Sequence, residues 1–365
     1  MPQAIPRSSA VRRSSSSSRA SLAFAALSLL AAATSLAAPD APAAAAEICD
    51  PSAVPIPSIF DPVSPPAAEI ETLSWLLLGI CGAIFVVVQG ALVHAIWKYR
   101  ASRAPQTSSG EPVQVYGSNP VELAWTVIPV VIVFVLTLTS VRLIREIELT
   151  SPPEGSLKVV VIGHQWWWEY RYPDQGIVTA NELVVPVNQP VWLELHSADV
   201  IHSWWVPQLA GKTDCIPGHR NATWFEARKT GVYVGQCAEY CGNQHANMLL
   251  RVEVRDQAGF DAWVANQQSS PVDDPAVRAG REVFLALACQ SCHDVAGVSD
   301  GAFGPNLTHL MSRATIGSGV APLNLDTLRS WVNDPQVLKP GCNMPSLKLD
   351  DAQLDAVVAY LASLR

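Results

Sequence analysis

Residues 237–248, Cys237-Ala-Glu-Tyr-Cys241-Gly-Asn-Gln-His245-Ala-Asn-Met248, set two thiols, an imidazole and a thioether at spacings of four, four and three. A disulfide between Cys237 and Cys241 leaves His245 and Met248 without a role. Zinc takes cysteine, histidine and carboxylate ligands, and methionine is not one of its usual donors. Thiolate, imidazole and thioether together select copper. A one-copper loop needs one cysteine, one histidine and one methionine, with a second histidine upstream. This loop has a thiol more than that. Two cysteine sulfurs can bridge two coppers, leaving one histidine for each. His245 is one. His202, in the run 199–207 (DVIHSWWVP) at a strand end, is the other. Met248 then caps one copper weakly, and the backbone carbonyl of Glu239 caps the other.

A second motif lies downstream. Cys289-Gln-Ser-Cys292-His293 has the C-x-x-C-H pattern of c-type haem attachment, in which two thiols bond the macrocycle and the next histidine meets the iron. The sixth iron ligand must follow it. Met311, Met344 and His309 are the candidates, and Met344, in the proline-bracketed run Pro340-Gly-Cys-Asn-Met-Pro345, is the expected one. Histidine–methionine ligation raises the haem potential. The Gly304-Pro-Asn-Leu307 segment offers a proline carbonyl to the other ring nitrogen of His293, a bond that would fix the ring. A thioredoxin-like reading of this C-x-x-C fails for want of a βαβ context.

The 365 residues suffice for two or three domains. Only 15% are charged, against about 25% in soluble proteins. Membrane segments account for the difference. The net charge is −8, and the first 46 residues are basic, so the rest is more acidic still. That balance suits a basic protein partner and not nucleic acid. Of the eight cysteines, Cys49, Cys81, Cys215 and Cys342 stand outside the two motifs and read as ordinary small buried residues.

Along the chain, residues 1–46 read as a signal peptide: four arginines, Arg12, Arg13 and Arg19 among them, in a serine-rich start, then an Ala/Leu-rich run. Eight prolines within 39–66 predict an irregular segment. Thr72–Trp97 and Leu123–Val141 lack charges and are long enough to cross a hydrocarbon core of about 30 Å. They predict a two-helix hairpin over 47–146, with helices at about 72–97 and 121–145. Lys98, Arg100 and Arg103 put the connecting loop in the cytoplasm and both ends outside. Residues 147–263 carry about seven short β-branched and aromatic runs, which predict a sandwich or Greek-key barrel. A polar linker is expected at 264–275. In 276–365 helical periodicity returns, with Leu354, Val357, Val358 and Leu361 on one face.

The segments 163–172 (GHQWWWEYRY), 198–218 (ADVIHSWWVPQLAGKTDCIPG) and 235–248 (GQCAEYCGNQHANM), with the hairpin before them, closely resemble the subunit II family of cytochrome c oxidases over about residues 70–255. The last 90 residues resemble the cytochrome c fused to subunit II in one oxidase subtype. The resemblance implies a cupredoxin-like Greek-key barrel holding a binuclear CuA centre, followed by an all-α class I monohaem cytochrome c domain with one covalent haem c. It further implies that Trp166 is an electron-entry residue and Glu122 the mouth of a proton channel. The Glu239 carboxylate would hold magnesium at the contact with subunit I. The expected partners are subunits I and III and a donor cytochrome or upstream respiratory complex. The expected place is the bacterial inner membrane, both redox domains being periplasmic. Oxygen reduction would occur in another subunit, coupled to proton pumping. Two features depart from the family pattern: Trp167 stands at a tyrosine position, and Cys215 lies near the metal loop. The competing readings are another CuA protein, such as a nitric-oxide or nitrous-oxide reductase subunit, and a membrane-anchored electron carrier without an oxidase.

Overall fold

The computed structural model describes residues 57–100, 114, 116–271 and 274–365, so the expected leader, Cys49 and Arg103 lie outside the described residues. Two long helices come first, α1 (Pro65–Lys98) and α2 (Asn119–Ile147). Each has a proline in its first two residues, Pro65 in α1 and Pro120 in α2, whose missing N–H is not needed in a first turn and whose fixed φ suits it. That is why α1 begins seven residues before the charge-free run, inside the segment expected to be irregular. Both helices present bare apolar faces; Val87 is 70% and Phe134 62% exposed. Such surface needs lipid or another protein against it. Pro129 is accommodated within α2.

The outer end of the hairpin is fixed to the domain that follows. Val63 N donates to Gln208 O at 2.9 Å, Arg228 N donates to Val63 O at 2.9 Å, and Trp224 Nε1 donates to Ile147 O at 2.9 Å.

That domain is built from two five-stranded sheets. One contains β1 (Leu157–His164), β2 (Trp167–Tyr172), β3 (Ile177–Ala180), β5 (Val191–Ser197) and β8 (Asn221–Phe225), in the order 3-2-1-5-8. The other contains β4 (Glu182–Pro186), β6 (His202–Trp205), β7 (Thr213–Cys215), β9 (Gly231–Cys237) and β10 (Leu249–Arg255), in the order 4-10-9-6-7. Pairing is antiparallel except β1 with β5 and β4 with β10. Alternate residues face inward, as Leu157, Val159 and Val161 do on β1. The core between the sheets holds Trp168, Tyr170, Tyr172, Trp204 and Phe225, all fully buried.

Ten strands therefore stand where about seven were expected. The three additions are β2, β6 and β7. Two of them carry the aromatic and histidine motifs, and β7 has only three residues, so none has the β-branched signature of an ordinary strand.

Helix α3 (Gln257–Gln267) crosses the boundary expected at 263. Asp256 caps it by accepting from Gly259 N at 2.8 Å. Phe260 and Trp263, three apart, bury on the sandwich, while the polar last turn reads as linker.

The C-terminal domain comprises α4 (Arg278–Ala286), the single turn α5 (Cys289–Cys292), α6 (Leu325–Asn333) and α7 (Asp351–Ser363). Two short strand pairs, β11 (Asp294–Val295) with β12 (Ser299–Asp300) and β13 (Thr315–Ile316) with β14 (Ala321–Pro322), interrupt the otherwise helical plan. Phe284 of α4 meets Tyr360 of α7 edge-on, centroids 5.6 Å apart. The predicted apolar face of α7, Leu354, Val357, Val358 and Leu361, is buried there.

Candidate functional site

Strand β9 ends at Cys237, and the loop that follows turns back to deliver Met248 at the foot of β10. Between them a single 3-10 turn holds His245. Strand β6 pairs with β9 and brings His202 alongside. The donor atoms converge. Cys237 Sγ lies 3.8 Å from Cys241 Sγ, 3.9 Å from His202 Nδ1 and 3.3 Å from Glu239 O. Cys241 Sγ lies 3.6 Å from His245 Nδ1 and 3.9 Å from Met248 Sδ. The sulfurs are far beyond the ~2.05 Å of a disulfide. The Cys237 thiol is held below the ordinary thiol range, first by the hydrogen bond shared with Cys241, while the same bond and burial push Cys241 up. Two thiols, two imidazoles, one thioether and one carbonyl oxygen converging here fit a pair of coppers with one histidine each.

His202 is fully buried, and three contacts fix its ring. Its Nε2 lies 2.7 Å from Asp199 Oδ1, leaving Nδ1 toward the sulfurs. Trp168 packs edge-on against it at 5.9 Å. Gly163 of β1 passes beneath it, where a Cβ would stand 2.7 Å from Cδ2. Asp199 is itself held: burial opposes its charge, but His202 and the amides of Val200 and Gln165 keep its carboxyl below the usual range. A carboxylate behind a ligand histidine sets its tautomer and basicity. Asp199→Ala is expected to weaken copper retention about 10–100-fold, read by competition with a copper chelator on the intact chain. An unchanged affinity would remove Asp199 from this role.

Cys215 pairs with His202 across β6 and β7, and burial pushes its thiol up, so it is an inert packed group. Glu239 turns its main-chain oxygen to Cys237 and its carboxylate outward, Oε2 3.4 Å from Lys212 Nζ. Tyr240, beside it, is 74% exposed. Glu122 stands in the first turn of α2, where its Oε1 accepts from Ser118 N at 3.3 Å, at the end of the hairpin opposite the sandwich anchors.

In the C-terminal domain Cys289, Cys292, His293 and Met344 line one apolar cleft with Phe284, Leu307 and Trp331. His293 Nδ1 is 2.8 Å from Pro305 O, the bond that Gly304-Pro-Asn-Leu307 predicts, so Nε2 is free for iron. Met311 packs in the domain core and is not part of this lining. His309 is buried with Nδ1 at 2.7 Å from Arg365 O. Two thiols, one oriented imidazole and one thioether around an apolar cleft fit a covalent haem with histidine and methionine ligands.

The other domain contributes to this cleft: Gln165, Trp166, Trp167 and Asn181 complete its lining. Trp166 is 9% exposed, and its Nε1 donates to Cys241 O at 3.0 Å. One indole thus borders the haem cleft and bonds the metal loop. Lys339 and Glu182, which the sequence motifs do not single out, are buried beside this junction.

A membrane hairpin, a β-sandwich with a two-thiolate metal site and a haem-c attachment domain define a membrane-anchored electron-transfer protein. Comparison with known proteins narrows this. Residues 57–143 match the family model described as the transmembrane domain of cytochrome c oxidase subunit II, 175–255 match its periplasmic domain, and 277–365 match cytochrome c. The chain is 35% identical to cytochrome c oxidase subunit 2 of Alkalihalophilus pseudofirmus over 84% of its own length and 90% of the relative's. It is 32% identical to that of Bacillus subtilis over 81% and 88%. A solved structure of the periplasmic domain of subunit II of cytochrome oxidase from Bradyrhizobium japonicum matches at 36% identity, covering 32% of this chain and 97% of that one with a TM-score of 0.32. The chain belongs to the cytochrome c oxidase subunit II family and ends in a cytochrome c domain. The family implies CuA copper in the sandwich and haem c in the C-terminal domain, in a membrane protein with a periplasmic portion.

Proposed function

We propose that the chain is the electron-accepting subunit of a haem–copper oxidase in a bacterial inner membrane, acting with subunits I and III. Its donor would be a cytochrome or an upstream respiratory complex. His202, Cys237, Glu239 through its carbonyl, Cys241, His245 and Met248 hold the binuclear copper. Cys289, Cys292, His293 and Met344 hold the haem. Electrons received by the C-terminal domain cross at Trp166 to the metal loop and leave for subunit I, where oxygen is reduced to water and protons are pumped. Bound there, the haem and the copper pair supply one-electron redox chemistry. The protein's part is to orient both, exclude water and keep them adjacent. The observation that carries this reading is Trp166, which lines the haem cleft and bonds Cys241 O.

Glu122, in the first turn of α2 at the cytoplasmic end of the hairpin, would take up protons there and pass them inward. The outward carboxylate of Glu239 is a hard oxygen donor, of the kind magnesium takes, on the exposed face beside Tyr240. It would serve at the contact with subunit I.

Metal analysis with EPR and visible/near-infrared spectroscopy of the purified membrane complex tests the reading. The expected result is two coppers sharing one unpaired electron, one low-spin haem c, and a haem–copper subunit that co-purifies. A one-copper hyperfine pattern, zinc in the sandwich, or a chain that never brings a haem–copper subunit with it would overturn it.

A further inference from the structure

Lys339 lies in the loop between α6 and α7, five residues before Met344, and is only 2% exposed. Among the described residues no carboxylate lies within ion-pair distance of it. Its Nζ donates instead to three main-chain carbonyls, those of Trp166, Asn247 and Gly317, each at 2.8 Å. An ammonium has three donors, and here all three are used. The acceptors come from three places: the turn between β1 and β2, the metal loop, and the C-terminal domain's own β13–β14 turn. Burial pushes the lysine's pKa down to about 7, and its only hydrogen-bond acceptors among the described residues are these three carbonyls.

The same junction carries further bonds of this type. Asn343 Nδ2 donates to Gln165 O at 2.8 Å, and Gln244 Nε2 donates to Pro340 O. Leu249 N donates to Ser318 O at 3.1 Å, and Ser318 Oγ returns to Leu249 O at 3.2 Å. On the sandwich side Glu182, 5% exposed, accepts from Thr315 N at 2.8 Å, Thr315 Oγ1 at 2.7 Å and Ala314 N at 3.0 Å. Each domain therefore buries an ionisable group in the other's main chain. A carrier that swings on a tether must expose its docking face in every cycle. Separating this face would strip the lysine of two of its three acceptors and the glutamate of its Ala314 and Thr315 donors at once, and leave buried carbonyls unpaired.

We propose that Lys339 is a positioning residue that locks the C-terminal domain onto the copper domain with Trp166 sealed between them, closing that tryptophan to electron donors from outside the chain. An external donor must then deliver to the C-terminal domain. This second half rests on the electron route proposed above; the lock itself does not.

The test is Lys339→Met in the full-length chain within its purified complex; it keeps the apolar stem and removes the three donors. Trp166 is followed by oxidative footprinting and backbone opening by hydrogen exchange. In the parent protein Trp166 is expected to be protected. In the variant its labelling rises at least about tenfold, and exchange rises around 165–167, 245–249 and 314–318. The haem and copper absorption bands stay at the parent's intensity. Unchanged protection of Trp166 overturns the lock. So does exchange that rises through α4 and α7 with loss of the haem band, which would make Lys339 a fold residue only. Should the variant not assemble, Glu182→Gln probes the lock from the other side with the same expected and overturning results. Trp166→Phe separates the two readings: haem-to-copper electron transfer at the parent's rate, with protection intact in the parent, would sink the route and leave the lock standing.

Discussion

Gly280→Ala is expected to unseat the C-terminal domain, although it adds a single methyl group. Helices α4 and α7 cross there with backbones nearly touching. A Cβ at Gly280 would stand 2.0 Å from Ala356 O, 2.7 Å from Ala356 C and 2.8 Å from Tyr360 Cβ. None of these is the movable end of a side chain. The helices must part by more than an ångström, and the damage spreads along the crossing. Phe284 and Tyr360 lose their edge-on contact, and Val357 and Leu361, which line the haem cleft, shift with α7. Overpacking a well-packed core costs about 1–3 kcal/mol and occasionally more. Because the clash is backbone on backbone, the expected loss is at the upper end, about 3 kcal/mol or beyond. Denaturant unfolding followed at the haem band should move to a markedly lower midpoint, with less covalent haem per chain, while the copper band in the same sample persists. A midpoint equal to the parent's would mean that the two helices do not cross this closely.

Much of the site is legible in the sequence, because metal chemistry restricts which residues can stand together. Thiolate, imidazole and thioether at Cys237–Met248 point to copper before any fold is known, and C-x-x-C-H points to haem. The upstream partner His202 is found by asking what a two-sulfur bridge still needs. What holds His202 is not legible. Gly163 is one glycine among 21, and only the passage of β1 under the imidazole gives it a task. Asp199 sits three residues before its histidine, a spacing that local turn chemistry explains equally well until Nε2 is seen 2.7 Å away. Strands β2, β6 and β7 escape recognition because the residues that serve the site displace the ordinary β pattern in them.

The junction between the domains is the least legible part. Lys339 sits in a proline- and glycine-rich loop and reads as a solvated cation. Glu182 precedes the apolar run of β4, and nothing local marks it as buried. Each is buried because the other domain covers it, and no local pattern encodes contacts 92 to 173 residues away. Trp166 shows the same limit: its membership of an aromatic motif is plain, whereas its place between Cys241 O and the haem cleft depends on how the two domains meet.

Gly163→Val should empty the copper site while leaving the sandwich folded. Valine suits a β-strand, and β1 keeps its ladders to β2 and β5 through backbone atoms. The side chain is what cannot fit. A Cβ alone would lie 2.7 Å from His202 Cδ2, 2.9 Å from Cγ and 3.1 Å from Cβ, and valine adds two methyl groups to it. An exposed histidine would turn aside. His202 has nowhere to go: it is fully buried, tied to Asp199 behind and edged by Trp168. The ring must leave the sulfur pair or β1 must bulge away, and either outcome takes Nδ1 from its place 3.9 Å from Cys237 Sγ. With His202 lost, the site no longer offers one histidine to each copper. The expected result is loss of the shared-electron EPR signal and of at least one copper per chain, with the haem band and its denaturation midpoint unchanged. Both coppers retained with the parent spectrum would mean that His202 is not held against Gly163 in the folded protein.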